Sequence, residues 1–285
     1  MSRDLVLVTL ALGVCGPVTW LTGFLSRGSR SVAGRADDER RSWRHLWMPL
    51  APAAVALAVL AGWSLQEPAE TDELLRPIVG VLVLPVVLVW LRAGWRSVRA
   101  LVTPPGDVPA AVIGLFRPRI LLSIPFRNAV DEAALAAALA HEQAHARHRD
   151  PLRIFLAQLA TDLQWPARGA RVRLESWLAA LEIARDDEAR RHGSDGRDLA
   201  AAILAAARLA THRAQAAAAA LLTSAERTLV FRIERLLAGP VPAGGGQRTS
   251  WLLLLAFAAA IIAGVLLGLT HGDDVLRALP VVRGA

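Results

Sequence analysis

The sequence predicts a mainly α membrane protein: four transmembrane helices carrying one α-rich cytosolic domain that contains a small β-hairpin. Three observations predict it. Hydrophobic residues make up 54% of the 285 residues and mean hydropathy is +0.39, whereas a soluble domain is about 45–50% apolar even when Gly is counted. The excess is gathered into separate runs of membrane-spanning length. Arginine flanks these runs unevenly, and one long stretch between the third and fourth runs has amphipathic rather than uniformly apolar character.

A bilayer-spanning helix needs about 20 apolar residues. Residues 5–25 and 46–65 carry no charge, and 251–270 forms a third such run. The run 74–91 is interrupted only by Arg76, whose long side chain can reach the interface. The first run is too long for the apolar core of a signal peptide, so it is read as a retained helix. The chain then divides into 1–99, with three spans (about 5–25, 46–65 and 74–91) and their loops; 100–248, a soluble domain; and 249–285, with the fourth span and a short tail. The first loop holds Arg27, Arg30, Arg35, Arg40, Arg41 and Arg44, while the second holds Glu67, Glu70, Asp72 and Glu73. Positive charge stays on the cytosolic side. The first loop and the 100–248 domain are therefore expected in the cytosol of a bacterial cell, and both termini outside the cell membrane.

Net charge is +7, and every basic residue other than His is Arg. The arginines flank apolar runs or lie on amphipathic helices, and no nucleic-acid-binding motif accompanies them, so the expected partners are a lipid bilayer and a protein, without direct nucleic-acid contact. A single cysteine, Cys15, excludes an intramolecular disulfide.

Within the soluble domain, Pro104-Pro105-Gly106-Asp107 signals a turn. Ala111–Phe116 and Ile120–Ile124, separated by Arg117-Pro118-Arg119, read as a β-hairpin. Helices follow over 131–148, with Asp131 or Asn128 as N-cap, then 151–164, 172–192, 198–209 and 216–237. Trp165-Pro166 breaks the second of them, and Ala243-Gly244-Gly245-Gly246 reads as a flexible joint before the last span.

The chemistry centres on His141-Glu142-Gln143-Ala144-His145. Two His four apart on a helix share a face and can reach one ion. Glu142 then projects beside that ion, where a general base for bound water belongs. The preceding turns are apolar (Ala134, Leu135, Ala138), so the pair is expected on a largely buried helix. Burying it without a partner costs several kcal/mol, and Zn²⁺, one per chain, is the expected partner.

A catalytic zinc site takes a third protein ligand and keeps a position open. Downstream candidates are His148, Asp150, Asp162, Glu175, Glu182, Asp186, Asp187 and Glu188. His148 and Asp150 lie too close along the helix axis to close a tetrahedron. Pro151 stands where a third His of the metzincin spacing would be. Glu182 and Asp186 are four apart and share a face, so Glu182 can ligate while Asp186 accepts from the far nitrogen of a ligating His. The alternative is a solvated acidic face interleaved with Arg185, Arg190 and Arg191.

These segments resemble the BlaR/MecR-type membrane metallopeptidases, relatives of the minigluzincins. The resemblance is carried by Gly114–Ile120 ahead of the His helix, by Leu139–Asp150, by Trp165-Pro166, by Leu181–Asp187 (with Arg185 where many members carry Cys) and by Arg232–Leu237. It implies a minigluzincin-like zinc domain, His141, His145 and Glu182 as ligands, Glu142 as catalytic base and Asp186 as the supporting carboxylate. It further implies a cytosolic protein substrate, such as a winged-helix transcriptional repressor or the chain itself. The family's β-lactam receptors carry a penicillin-binding sensor after the fourth span, and only about fifteen residues follow Thr270 here. A quality-control peptidase similar to the HtpX group and a non-catalytic zinc-stabilised sensor or scaffold are the rival roles. For a developing oxyanion the expected donors are His148, Arg185 or His192. The strand at Ile120–Ile124 is expected to pair with extended substrate.

Overall fold

Residues 3–26, 36–65, 77–102, 108–214, 222–239 and 249–278 are described by the computed structural model of the chain. The described residues are mainly helical. Helices α1 (Arg3–Leu25), α3 (Ala51–Ser64), α4 (Pro77–Val102) and α11 (Thr249–Ala278) correspond to the four apolar runs. Their packing depends on small residues. A Cβ on Gly62 would meet the Val265 carbonyl oxygen at 2.1 Å and one on Gly268 would meet that of Val59 at 2.0 Å, so glycine is what lets α3 and α11 approach backbone to backbone. Leu84, Leu88 and Leu91 of α4 and Leu255, Ile262 and Leu266 of α11 are exposed, which in water would be an aggregation-prone surface and in lipid is the expected one.

By length and composition one helical run among the described residues, Glu39–Ser64, can cross a membrane; Val14–Leu25 and Leu255–His271 are shorter apolar helices. Four qualifying spans are therefore not found. The loops 27–35 and 66–76, the turn Pro104–Asp107, residues 216–221 of the last predicted soluble helix, the joint Ala243–Gly246 and the end of the tail lie outside the described residues.

One element departs from the expected division at residue 100. Helix α2 (Ala36–Trp47), inside the expected first loop, packs its apolar face against the soluble helices. Trp43, Leu46 and Trp47 recur at the three- and four-residue spacing of one helix face. Leu46, 1% exposed, shares a core with Ala157, Ala160, Trp177 and Leu181. A 3-10 turn, Met48–Leu50, joins α2 to α3. The helical body that follows residue 108 thus recruits a helix that leads into the second apolar run.

The rest of that body follows the sequence closely. Strands β1 (Ala110–Ile113) and β2 (Arg119–Leu122) pair antiparallel, Ala110 opposite Leu122 and Ile113 opposite Arg119. Both are shorter than expected: β1 ends where the chain turns at Gly114, whose φ of +90° suits glycine, and β2 ends where Ser123 begins a helix. A short helix α5 (Ile124–Ala129) was not anticipated. It starts where the Ser123 hydroxyl accepts from the Phe126 amide, with Pro125 in the first turn, and it buries Phe126. Then come α6 (Glu132–Arg147), α7 (Asp150–Leu163), α8 (Arg168–Arg191), α9 (Gly196–Ala214) and α10 (Leu222–Leu237). Asp131 caps α6, accepting from the Ala134 amide at 2.8 Å. Ala137 of α6, Ala189 of α8, Leu199 of α9 and Leu236 of α10 form the core beneath the His helix.

Candidate metal centre

His141 and His145 occupy successive turns of α6 and are both buried. Their Nε2 atoms face one another at 3.1 Å. Glu182 of α8 closes the group: Oε2 lies 3.6 Å from His141 Nε2 and Oε1 lies 3.6 Å from His145 Nε2. These three residues are the one group among the described residues whose ligand atoms converge to hold a metal ion. The 3.1 Å between the nitrogens and the 3.6 Å from His145 Nε2 to Glu182 Oε1 bracket the edge of about 3.3 Å expected for a tetrahedron with zinc–ligand bonds of about 2.0–2.1 Å.

The far nitrogens explain why the near ones converge. His145 Nδ1 is 2.9 Å from Asp150 Oδ2. His141 Nδ1 is 2.9 Å from Asp186 Oδ1, at ion-pair distance but off the line of the ring N–H. A carboxylate at Nδ1 holds the proton there and leaves the Nε2 lone pair free for a cation. Two lone pairs 3.1 Å apart then repel unless something positive lies between them. Without an ion, a proton fills that role. Burial alone lowers the His141 pKa, but Asp186 and Glu182 outweigh burial and lift it to about 10. Burial likewise opposes ionisation of Glu182, yet Arg232 and the imidazoles hold its carboxyl well below the ordinary range. The donor set fits a divalent cation.

Asp150 reaches His145 through backbone geometry. Arg149 adopts a left-handed conformation, φ 52°, and Pro151 restarts the helix at once, so the chain reverses and returns Asp150 beneath His145. Asp150 is fully buried. Arg185 grips it in a fork, with Nε 2.5 Å from Oδ2 and Nη2 3.0 Å from Oδ1, and Arg153 Nη1 adds a contact at 3.0 Å. Arg153 also donates to Glu39 of α2 and lies over the rings of Trp43 and Trp177. Asp186 is gripped from the other side by Arg232 of α10, whose Nε and Nη2 lie 2.7 and 2.8 Å from its two oxygens. Arg232 Nη1 is also 2.9 Å from Glu182 Oε2.

The acidic stretch on α8 is not a solvated face. Asp186, Asp187 and Glu188 are buried, and Arg232, Arg235 and the pair Arg147 and Arg185 respectively compensate them.

Two cavities meet at the group. One, of about 420 Å³, is bounded by Ala110–Val112 of β1 together with Glu142, His145, Pro151 and Glu182. The other, of about 320 Å³, is apolar and lined by Phe126, Ala138, Ala202, Ile203 and Leu229, with Glu142 and Arg232 at its polar end. Glu142 borders both, and burial pushes its carboxyl pKa up, partly offset by the two imidazoles.

Residues His141, Glu142, His145, Glu182 and Asp186 are thus brought together. His148, Arg185 and His192 are not brought to the cleft: His148 Nε2 contacts Glu188 Oε2 at 2.8 Å, Arg185 is committed to Asp150, and His192 Nδ1 contacts the Glu188 carbonyl oxygen at 2.8 Å. The strand bordering the site is β1, whose Ala110–Val112 line the cavity, and not β2. Sequence reasoning passed over Asp150 as a supporting carboxylate, and passed over Arg153, Glu39 and the role of Arg232.

A paired-His helix, a carboxylate from a second helix and a flanking strand form a site that can hold a metal ion. The family follows from comparison: residues 96–236 match the model of the BlaR1 peptidase M56 family, and the chain belongs to this BlaR/MecR-type, membrane-associated group. No curated protein and no solved structure matches the chain.

Proposed function

We propose that the chain is a zinc-dependent endopeptidase that cleaves a cytosolic protein, with His141, His145 and Glu182 as ligands and Glu142 as general base. The observation that carries this reading is the placement of Glu142. It borders both cavities beside three converging donors, and burial keeps its carboxyl more basic than usual. A structural zinc site has four closed ligands and no use for such a base.

Zinc in this site would polarise the scissile carbonyl and acidify bound water. The chain's own residues do the rest. Glu142 takes the proton of the attacking water and returns it to the leaving amine. Asp150 and Asp186 keep the two imidazoles in the tautomer that presents Nε2. Strand β1 offers backbone for an extended substrate to join as an added strand, and the apolar cavity takes an adjoining apolar side chain. We read α1, α3, α4 and α11 as four membrane spans with the site on the cytosolic side. The substrate is then a cytosolic protein such as a winged-helix repressor.

Replacing Glu142→Gln tests the reading. Zinc content should stay at one per chain, while hydrolysis falls by about 10²–10⁴-fold, the range for losing a general base. Turnover that survives the change would sink the assignment. Comparing cellular proteins in wild-type and Glu142→Ala cells then names substrates, since these accumulate only in the variant.

A further inference from the structure

Arg232 lies on α10, which packs into the core beneath the His helix through Leu236, and it also touches two residues of the metal centre. We propose that Arg232 is a positioning residue of that centre: it caps one oxygen of Glu182 and both of Asp186, so that Glu182 presents a single oxygen to the ion and Asp186 stays fixed on His141. This rests on the reading of His141, His145 and Glu182 as ligands.

The geometry carries the inference. All three nitrogens of the guanidinium are engaged: Nε and Nη2 with Asp186 at 2.7 and 2.8 Å, and Nη1 with Glu182 Oε2 at 2.9 Å. Oε1 of Glu182 is left facing His145 Nε2 at 3.6 Å. A free carboxylate can swing between one- and two-oxygen ligation. A carboxylate with one oxygen held by a planar, rigid donor cannot, and bidentate Arg recognition gives that rigidity where Lys would not. Asp186 needs a similar restraint, because its contact with His141 Nδ1 lies off the N–H line.

Arg235, three residues further along α10, supplies the control. It bridges α10 to Asp187 of α8 at 2.9 Å but touches no member of the metal group. If Arg232 merely docks α10 onto α8, losing either arginine should have the same consequences.

The test uses the full chain in detergent. Zinc affinity is measured by chelator competition for wild type, Arg232→Lys, Arg232→Gln and Arg235→Gln, with thermal unfolding of the metal-free forms alongside. The expectation is that both Arg232 variants bind zinc about 10–100-fold more weakly, the usual cost of losing a partner that orients a ligand. Lys should not rescue, since it keeps the charge and loses the fork, and Arg235→Gln should keep wild-type affinity whatever it does to unfolding. Equal affinity in Arg232→Lys and wild type, or equal losses in Arg232→Gln and Arg235→Gln, would overturn the proposal. Should wild type bind zinc but hydrolyse nothing, the peptidase reading fails while the affinity comparison still decides the role of Arg232.

Discussion

The two imidazoles of the centre are supported in opposite ways. His145 backs onto Asp150, which is fully buried, held by Arg185 and Arg153, and continuous with the tryptophan-rich core that α2 completes. His141 backs onto Asp186, held by one arginine that also borders the apolar cavity. The first support is part of the structural core of the domain. The second depends on Arg232, which lines the apolar cavity and belongs to a helix, α10, that comes late in the chain. The difference teaches that a carboxylate beside an imidazole can be built into the folded core on one side and held by a single arginine at a cavity on the other.

The matched substitutions Asp150→Asn and Asp186→Asn should separate these roles. Asp150→Asn leaves two guanidinium groups facing a neutral amide in a buried place, and an uncompensated buried charge costs about 3–5 kcal/mol. The expected result is a large fall in thermal stability of the metal-free protein, read by circular dichroism. A near-wild-type melting curve would show that Arg153 and Arg185 find other partners and that the His145 side is no more structural than the other.

Asp186→Asn leaves Arg232 with Glu182 still in reach, so the fold should survive. Its effect should fall on the metal instead, with zinc affinity about 10–100-fold weaker. If Asp186→Asn and Asp150→Asn destabilise the fold equally, the contrast between the two supports collapses.

The sequence made only one support legible, for a physical reason. Glu182 and Asp186 share a helix, so four-residue spacing is enough to put both on the face that meets His141. Asp150 is only five residues from His145 in sequence, but spacing along an uninterrupted helix carries it away from the site. The left-handed residue at Arg149 brings it back, and nothing in the sequence marks a non-glycine there for φ 52°. Arg232 lies 46 residues beyond Asp186, and only tertiary packing joins them. Likewise the Arg count of residues 27–44 speaks for the cytosolic side, but not for α2 packing into the domain, although Trp43, Leu46 and Trp47 already have the spacing of a buried face. The apolar runs are plain in composition, yet length and composition qualify one run among the described residues, Glu39–Ser64.

The smallest expected effect concerns protons. In the metal-free protein the His141 pKa is lifted from 6.5 to about 10, against burial, by Asp186 and Glu182. A raised folded-state pKa stabilises the fold fully below the unfolded value of 6.5, and that stability is lost as pH rises through about 10. A cation entering the site must displace this proton, so zinc binding at pH 7.5 should release close to one proton from His141, and affinity should rise about tenfold per pH unit until the ring's own pKa is reached. Calorimetry of zinc binding in buffers of different ionisation enthalpy measures the release. Asp186→Asn removes the first carboxylate that lifts the ring, so its proton release at pH 7.5 should fall, while a variant at the other support, Glu39→Gln, should leave it unchanged. Equal release from Asp186→Asn and wild type would mean that Asp186 holds the ring in place without setting its charge.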